Sequence, residues 1–249
     1  MNRPALRWWL LGAVAYLVFL ALTFPAQYLA DNLAKKLPAL QLTAVSGNLF
    51  AGTAAEVRYQ GASLGAVDWH FDWLAPFSLT LGYRIHLHAE DRDLLGRVDF
   101  GFNRVELKDL EGRIPVAAFD SLLPLPPGSL EGALSPHLRR LTLKAGHLAS
   151  AEGELDLDEA TLKWPTATTL GSFRMSLTPA ADGIQAQVSD VASPFRLNAA
   201  LSLTQAGAYH LSGTLAARDP GDTATRNLLA GLGRPDSTGQ YPFDFKGQW

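Results

Sequence analysis

The chain has 249 residues, 47% hydrophobic and 18% charged, with 21 Lys+Arg against 24 Asp+Glu, a net charge of −3 and no Cys. A chain this apolar buries its side chains, which excludes disorder, and its length suits one ordinary domain or two small ones. The charge offers no basic footprint for nucleic acid, and the lack of Cys removes disulfides, zinc ribbons, iron–sulfur clusters and thiol nucleophiles. Charged residues are scarcer than the about 25% usual in soluble domains, so part of the apolar content is expected outside a soluble core.

The missing charge is at the N-terminus. Trp8 to Ala30 contains no charged side chain, and about 20 such residues span a hydrocarbon core of about 30 Å as a helix. Arg3 and Arg7 precede the run and no acid appears before Asp31. Residues 1–7 are therefore expected to stay cytoplasmic, 8–30 to form a single transmembrane anchor and 31–249 to be exported. Trp8 and Trp9 at one end and Tyr28 at the other fit interfacial aromatic belts. The competing reading, a cleaved signal peptide, fits less well, because the run is longer than an ordinary apolar region and Phe24 to Tyr28 offers no small-x-small site.

After the anchor the pattern changes to period two. In Val67-Asp68-Trp69-His70-Phe71-Asp72-Trp73 the odd positions are apolar and the even ones polar, which predicts a half-buried strand. Leu79, Leu81, Tyr83, Ile85, Leu87 and Ala89 alternate with mostly polar residues in the same way. Further strands are predicted at Val98-Phe100-Phe102, Leu141-Leu143, Leu155-Leu157, Phe195 to Leu203 and Phe243-Phe245. Short helices are expected at Tyr28–Leu37, Val116–Leu123 and Asp222–Leu232, the last opening on a capping residue and closing before Gly233. A Gly followed two residues later by an aliphatic recurs at Gly47, Gly112, Gly132, Gly153 and Gly213. It reads either as glycines that start strands or as a meander of similar hairpins in a long curved sheet. The fold class is thus mainly β: one N-terminal helix, then a curved antiparallel β-meander.

No nucleophile elbow, phosphate loop, zinc-protease helix or dinucleotide fingerprint is present, and no catalytic or cofactor-binding residue is assigned. His86 and His88 share one strand face and His70 lies between Asp68 and Asp72. Imidazole and carboxylate suit zinc or a similar ion, but solvated side chains on the wet face of a sheet are the preferred reading, and no metal ligand is assigned. The acids from Asp91 to Asp99 and from Glu152 to Glu159 lack a regular calcium loop. What stands out is the dense apolar stretch Trp69, Phe71, Trp73, Phe77, Leu79, Leu81 and Tyr83. It reads as the core face of a sheet folded on itself, or as a groove for lipid tails or a partner's strand.

One further pattern emerges from the order of segments. The anchor is followed by Val45-Ser46-Gly47-Asn48-Leu49-Phe50-Ala51-Gly52, by Leu64-Gly65 and by the Val67-x-Trp69-x-Phe71-x-Trp73-Leu74 strand; Leu228 to Gly233, a turn, and Phe243 to Trp249 close the chain. This order resembles protein N of the bacterial type II secretion system. The resemblance implies a Gram-negative inner-membrane protein with a periplasmic domain, accessory to the export of folded proteins across the outer membrane, with other secretion subunits as partners. It also implies distant kinship with AsmA-like proteins, whose repeated β-structure forms a groove associated with lipid, so phospholipid is a second candidate partner. No catalytic residue or cofactor is implied.

Overall fold

The computed structural model describes residues 9, 12, 16, 23, 25–27, 40–59, 62–73, 80–119, 128–144, 147–163, 167–219, 221–222, 225, 229–230 and 234–248. Thirteen strands occupy most of that length: β1 (Leu40–Gly47), β2 (Ala51–Tyr59), β3 (Ala62–Asp72), β4 (Leu81–Ala89), β5 (Arg92–Gly101), β6 (Arg104–Pro115), β7 (Leu130–Lys144), β8 (His147–Leu162), β9 (Thr168–Ala180), β10 (Gly183–Ala192), β11 (Phe195–Thr204), β12 (Ala208–Ala217) and β13 (Tyr241–Gln248). They form a single antiparallel sheet whose spatial order is the order in sequence, with β1 and β13 at its edges.

Residues paired across antiparallel strands point to the same face. Starting from Trp69, the register runs Trp69↔Ile85, Tyr83↔Val98, Val98↔Leu107, Leu107↔Leu141 and Leu141↔Ala151. It continues through Leu155↔Met175, Met175↔Val188, Ala186↔Leu201, Leu201↔Leu211 and Leu211↔Phe245. One face is therefore apolar from β3 to β13. The opposite face carries Asp68, Arg84, Arg97, Lys108, Arg140, Asp156, Arg174, Gln187, Ser202, His210 and Asp244, paired by the same register.

A flat layer would leave the apolar face wet, and this one bends. β8 and β10, two strands apart, approach within 8 Å, closer than the about 9.6 Å that separates alternate strands in a flat sheet. The buried cluster of Leu138, Ala151, Leu177, Ile184 and Ala186 sits on the inner side of this bend, flanked by Leu110, Leu141, Leu155, Met175 and Leu201. The 3-10 helix Val116–Phe119 buries Val116 and Ala118 and lies against both β7 and β3, so the sheet also curls between β3 and β6. Register shifts mark β2–β3, β5–β6, β7–β8, β8–β9 and β9–β10, and such bulges increase local twist. Gly153 shows why glycine recurs in the strands. It lies inside β8 at φ +139°, where a Cβ would stand 2.4 Å from the His137 carbonyl oxygen. Gly112 is likewise interior to β6, so these glycines permit close strand approach rather than starting strands.

Where they are described, the alternating segments predicted from sequence are strands, with Trp73 instead in the turn after β3, Phe102 in the β5–β6 turn and Leu79 outside the described residues. The helix expected from Val116 is a single 3-10 turn, residues 120–127 lying outside the described residues. Of Asp222–Leu232, Thr225, Leu229 and Ala230 are helical, with the Thr225 backbone N–H donating to Asp222 Oδ1 at 3.2 Å. The predicted extension Tyr28–Leu37 and most of the predicted anchor lie outside the described residues. Trp9, Gly12, Tyr16, Thr23, Ala26 and Gln27 within it are helical, and Pro25 forms a β-bridge with Asn48. Among the described residues no helix is long and apolar enough to cross a membrane.

Two stability tests follow from the core. Ile184→Ala should cost about 2–5 kcal/mol in denaturant melts, because its side chain is buried in the cluster. Gly153→Ala should cost more than about 1 kcal/mol although it adds one methyl group, since the clash is with backbone.

Candidate functional site: an apolar face with an aromatic end

The turn between β1 and β2 organises the aromatic end of the sheet. Asn48 Oδ1 accepts the backbone N–H groups of Phe50 and Ala51, both at 2.9 Å, and the Asn48 carbonyl accepts Trp69 Nε1–H at 3.1 Å. The Phe71 N–H donates to the Phe50 carbonyl at 2.6 Å. Trp69 packs against Gly52, its cross-strand partner, where a Cβ would meet the indole at 2.3 Å.

From this turn a ring series crosses three strands, β3 to β5. Phe50 stacks on Trp73 at a centroid distance of 4.8 Å and meets Phe71 edge-on at 5.2 Å. Phe71 contacts Trp73 at 5.1 Å and Tyr83 at 5.3 Å, and Tyr83 contacts Phe100 at 6.0 Å, all edge-to-face. Phe71 is buried at 8% exposure, whereas Trp73 at 60%, Leu81 at 52% and Phe100 at 46% form a rim, with Phe102 fully exposed beyond it. Burial accordingly raises the Tyr83 pKa above its ordinary value. The predicted apolar stretch is thus divided: Trp69, Phe71 and Tyr83 line the face, Trp73 and Leu81 form its open end, and Phe77 and Leu79 lie outside the described residues. Of the predicted belt residues, Trp8 and Tyr28 also lie outside, and Trp9 is exposed. Phe50 and Phe100 join the cluster unforeseen, Phe50 because it sits in a turn, Phe100 because its strand was not placed beside Tyr83.

The polar face below this cluster is held by an ion-pair ladder. Arg97 pairs with Asp72 and, at 3.2 Å, with Asp99; Lys108 binds Asp99 at 2.7 Å and Glu106 at 3.1 Å. Asp99 is only 5% exposed. Burial pushes its pKa up, but the hydrogen bond and charge of Lys108, with those of Arg97, outweigh this and hold the carboxyl below its usual range. The Asp99 hydrogen bond likewise holds the Lys108 ammonium above its usual value against desolvation, and Glu106 adds to it. At the other end of the sheet a cavity of about 840 Å³ lies between β10–β12 and residues 235–241, with the Asp190–Arg218 ion pair in its wall.

The geometry defines a class: a one-layer β-meander with an apolar inner face, an aromatic rim, a charged outer face and two strand edges. Comparison with known proteins then gives the family. A family model described as "Type II secretion system (T2SS), protein N" matches residues 38–244, and the chain belongs to that family. The type II secretion system protein N of Vibrio cholerae is 28% identical over 219 residues, covering 84% of this chain and 85% of the relative. That of Klebsiella pneumoniae is 28% identical over 247 residues, covering 96% and 94%, and that of Aeromonas hydrophila 26% identical over 252 residues, covering 94% and 95%. No solved structure matches significantly.

A carboxylate with a depressed folded pKa contributes stability above its unfolded pKa of about 3.9 and loses it as pH falls through the folded value. An ammonium with a raised pKa contributes below about 10.4 and loses that as pH rises through its folded value. Lys108→Met should therefore cost about 1–3 kcal/mol at pH 7. In melts across a pH series the deficit should shrink below about pH 4 as Asp99 is protonated.

Proposed function

We propose that this protein is a non-enzymatic, inner-membrane accessory component of the type II secretion apparatus, contributing to export of folded proteins across the outer membrane. In this reading residues 8–30 hold it in the membrane as a single span, residues 1–7 are cytoplasmic and the β-domain, 31–249, is periplasmic. The observation that carries it is the family match over residues 38–244. The sheet supplies a means of engagement, because among the described residues β1 and β13 each pair with one strand only, and such edges offer backbone N–H and C=O groups to a partner strand. β13 also carries Pro242 and Lys246, residues that discourage indiscriminate edge pairing. Photo-crosslinkers at Phe243 and Lys246 in cells should capture other secretion subunits, and deleting the gene should impair secretion. Capture of none, with secretion intact, would reject the proposal.

A second reading is favoured by one observation: the apolar face is continuous and ends in an exposed aromatic rim. The rim lies at the same end of the sheet as Asn48, which is bridged to Pro25 near the end of the proposed anchor. Such a face suits acyl chains entering from the bilayer side. Under this reading, phospholipid co-purifies with the detergent-solubilised chain in near-equimolar amount by mass spectrometry. Trp73→Asp should lower that amount while leaving the fold intact, since Trp73 is largely exposed. Phe71→Asp should instead destabilise the fold by at least about 3 kcal/mol. A lipid-free wild type would remove this reading.

A further inference from the structure

The polar face holds a cluster that neither reading uses. The β3–β4 register sets Asp68 opposite His86, and the β4–β5 register sets His88 opposite Asp93. Two imidazoles and two carboxylates from three adjacent strands therefore share one patch. The two imidazole rings lie 4.8 Å apart. His86 Nε2 and Asp93 Oδ1 are 2.7 Å apart. On the other diagonal, His88 Nδ1 stands 3.6 Å from Asp68 Oδ2, beyond hydrogen-bond length, and that nitrogen is shielded from solvent with no hydrogen-bond partner. One ligand atom from each of Asp68, His86 and His88 falls within a group whose members all lie within 4.8 Å of one another.

We propose that Asp68, His86 and His88 bind one divalent transition-metal cation of the zinc class. The donor set is two neutral imidazoles and a carboxylate, the borderline ligands that zinc takes in three-ligand sites with an open position. Zinc–ligand bonds of about 2.0–2.2 Å put ligand atoms about 3.4 Å apart in a tetrahedron, so the group closes by side-chain rotation while the strands stay in register. A coordinate bond also gives the buried His88 nitrogen the close contact that the Asp68 carboxylate, at 3.6 Å, does not. Asp93 fixes the His86 ring, as carboxylates do beside metal-bound histidines. The carboxylates of Asp68 and Asp93 together match a charge of +2. A depression of about 330 Å³ beside the cluster, lined by Asp68, His70, Arg84, His86 and Leu95, gives the ion a route in and room for water at the open position. The bound ion ties β3 to β4 on the face opposite Trp69 and Ile85.

The chain supplies its own control. His210 Nε2 and Asp244 Oδ2 form a similar pair, 2.8 Å apart on β12 and β13, among the His–carboxylate pairs of the same face. Zinc chloride is titrated calorimetrically into the detergent-solubilised full-length chain, prepared without a histidine tag. The expected result is one zinc per chain, with binding weakened at least tenfold in His88→Ala and Asp68→Asn and unchanged in His210→Ala. Asp93→Asn should weaken it about tenfold by releasing the His86 ring. Circular dichroism checks each fold; if His88→Ala does not fold, the near-isosteric Asp68→Asn decides. Cobalt(II) should give the intense visible absorption of a low-coordinate site, free of thiolate bands because the chain has no Cys. Absence of saturable zinc binding, or equal affinity in wild type, His88→Ala and Asp68→Asn, overturns the proposal.

Discussion

An antiparallel ladder carries the side-chain alternation of each strand to the next, so thirteen strands paired in sequence order commit their apolar residues to one side of one layer. That side must then be kept from water by the sheet itself. Bulges at Asp109 and Glu159, both at positive φ, and the close approach at Gly112 and Gly153 bend the layer without turning apolar residues outward. The consequence is graded burial. Leu138, Ile184 and Ala186 at the bend are closed off, while Trp73, Leu81 and Phe100 at one end remain open.

The same alternation separates two chemistries. Aromatic and aliphatic groups occupy the inner face, where dispersion and area burial hold them. Ionic groups occupy the outer face, where cross-strand pairs such as Lys108–Asp99 and Arg174–Asp156 bridge neighbouring strands. A ligand for the inner face and an ion for the outer face would therefore act on opposite sides of β3 and β4 without competing. The edges, which among the described residues are β1 and β13, are a third resource, and family membership makes them the natural place to look for other subunits.

Much of this was legible in the sequence where side chains are large. Val67 to Trp73 and Leu81 to Ala89 alternate so strictly that strand and face follow from period two alone. β2 and β10 are harder to see, because Ala54 and Ala186, both buried, carry little hydrophobic signal, and because the register shift between Ala54 and Val57 breaks the period. The aromatic end was half visible: Phe71 and Tyr83 announce themselves, but Phe50 reaches them through a turn built by Asn48. The histidine cluster was hidden for a related reason. His86 and His88 are two apart in sequence, yet Asp68 joins them only through the β3–β4 register, which spacing does not encode.

The most direct test concerns the single bent layer, on which the open rim, the two faces and the two edges all rest. With no native Cys, single-cysteine variants of the detergent-solubilised chain report exposure cleanly through the rate of maleimide labelling. Cysteines at Gln185 and Gln187 should label fast and those at Ile184 and Ala186 slowly, while Trp73, Leu81 and Phe100 on the same apolar side should label fast. Protection of all three rim positions in lipid-free protein would instead mean a sheet sealed by a second layer, and fast labelling at Ile184 and Ala186 would mean a flat one; either result contradicts the account.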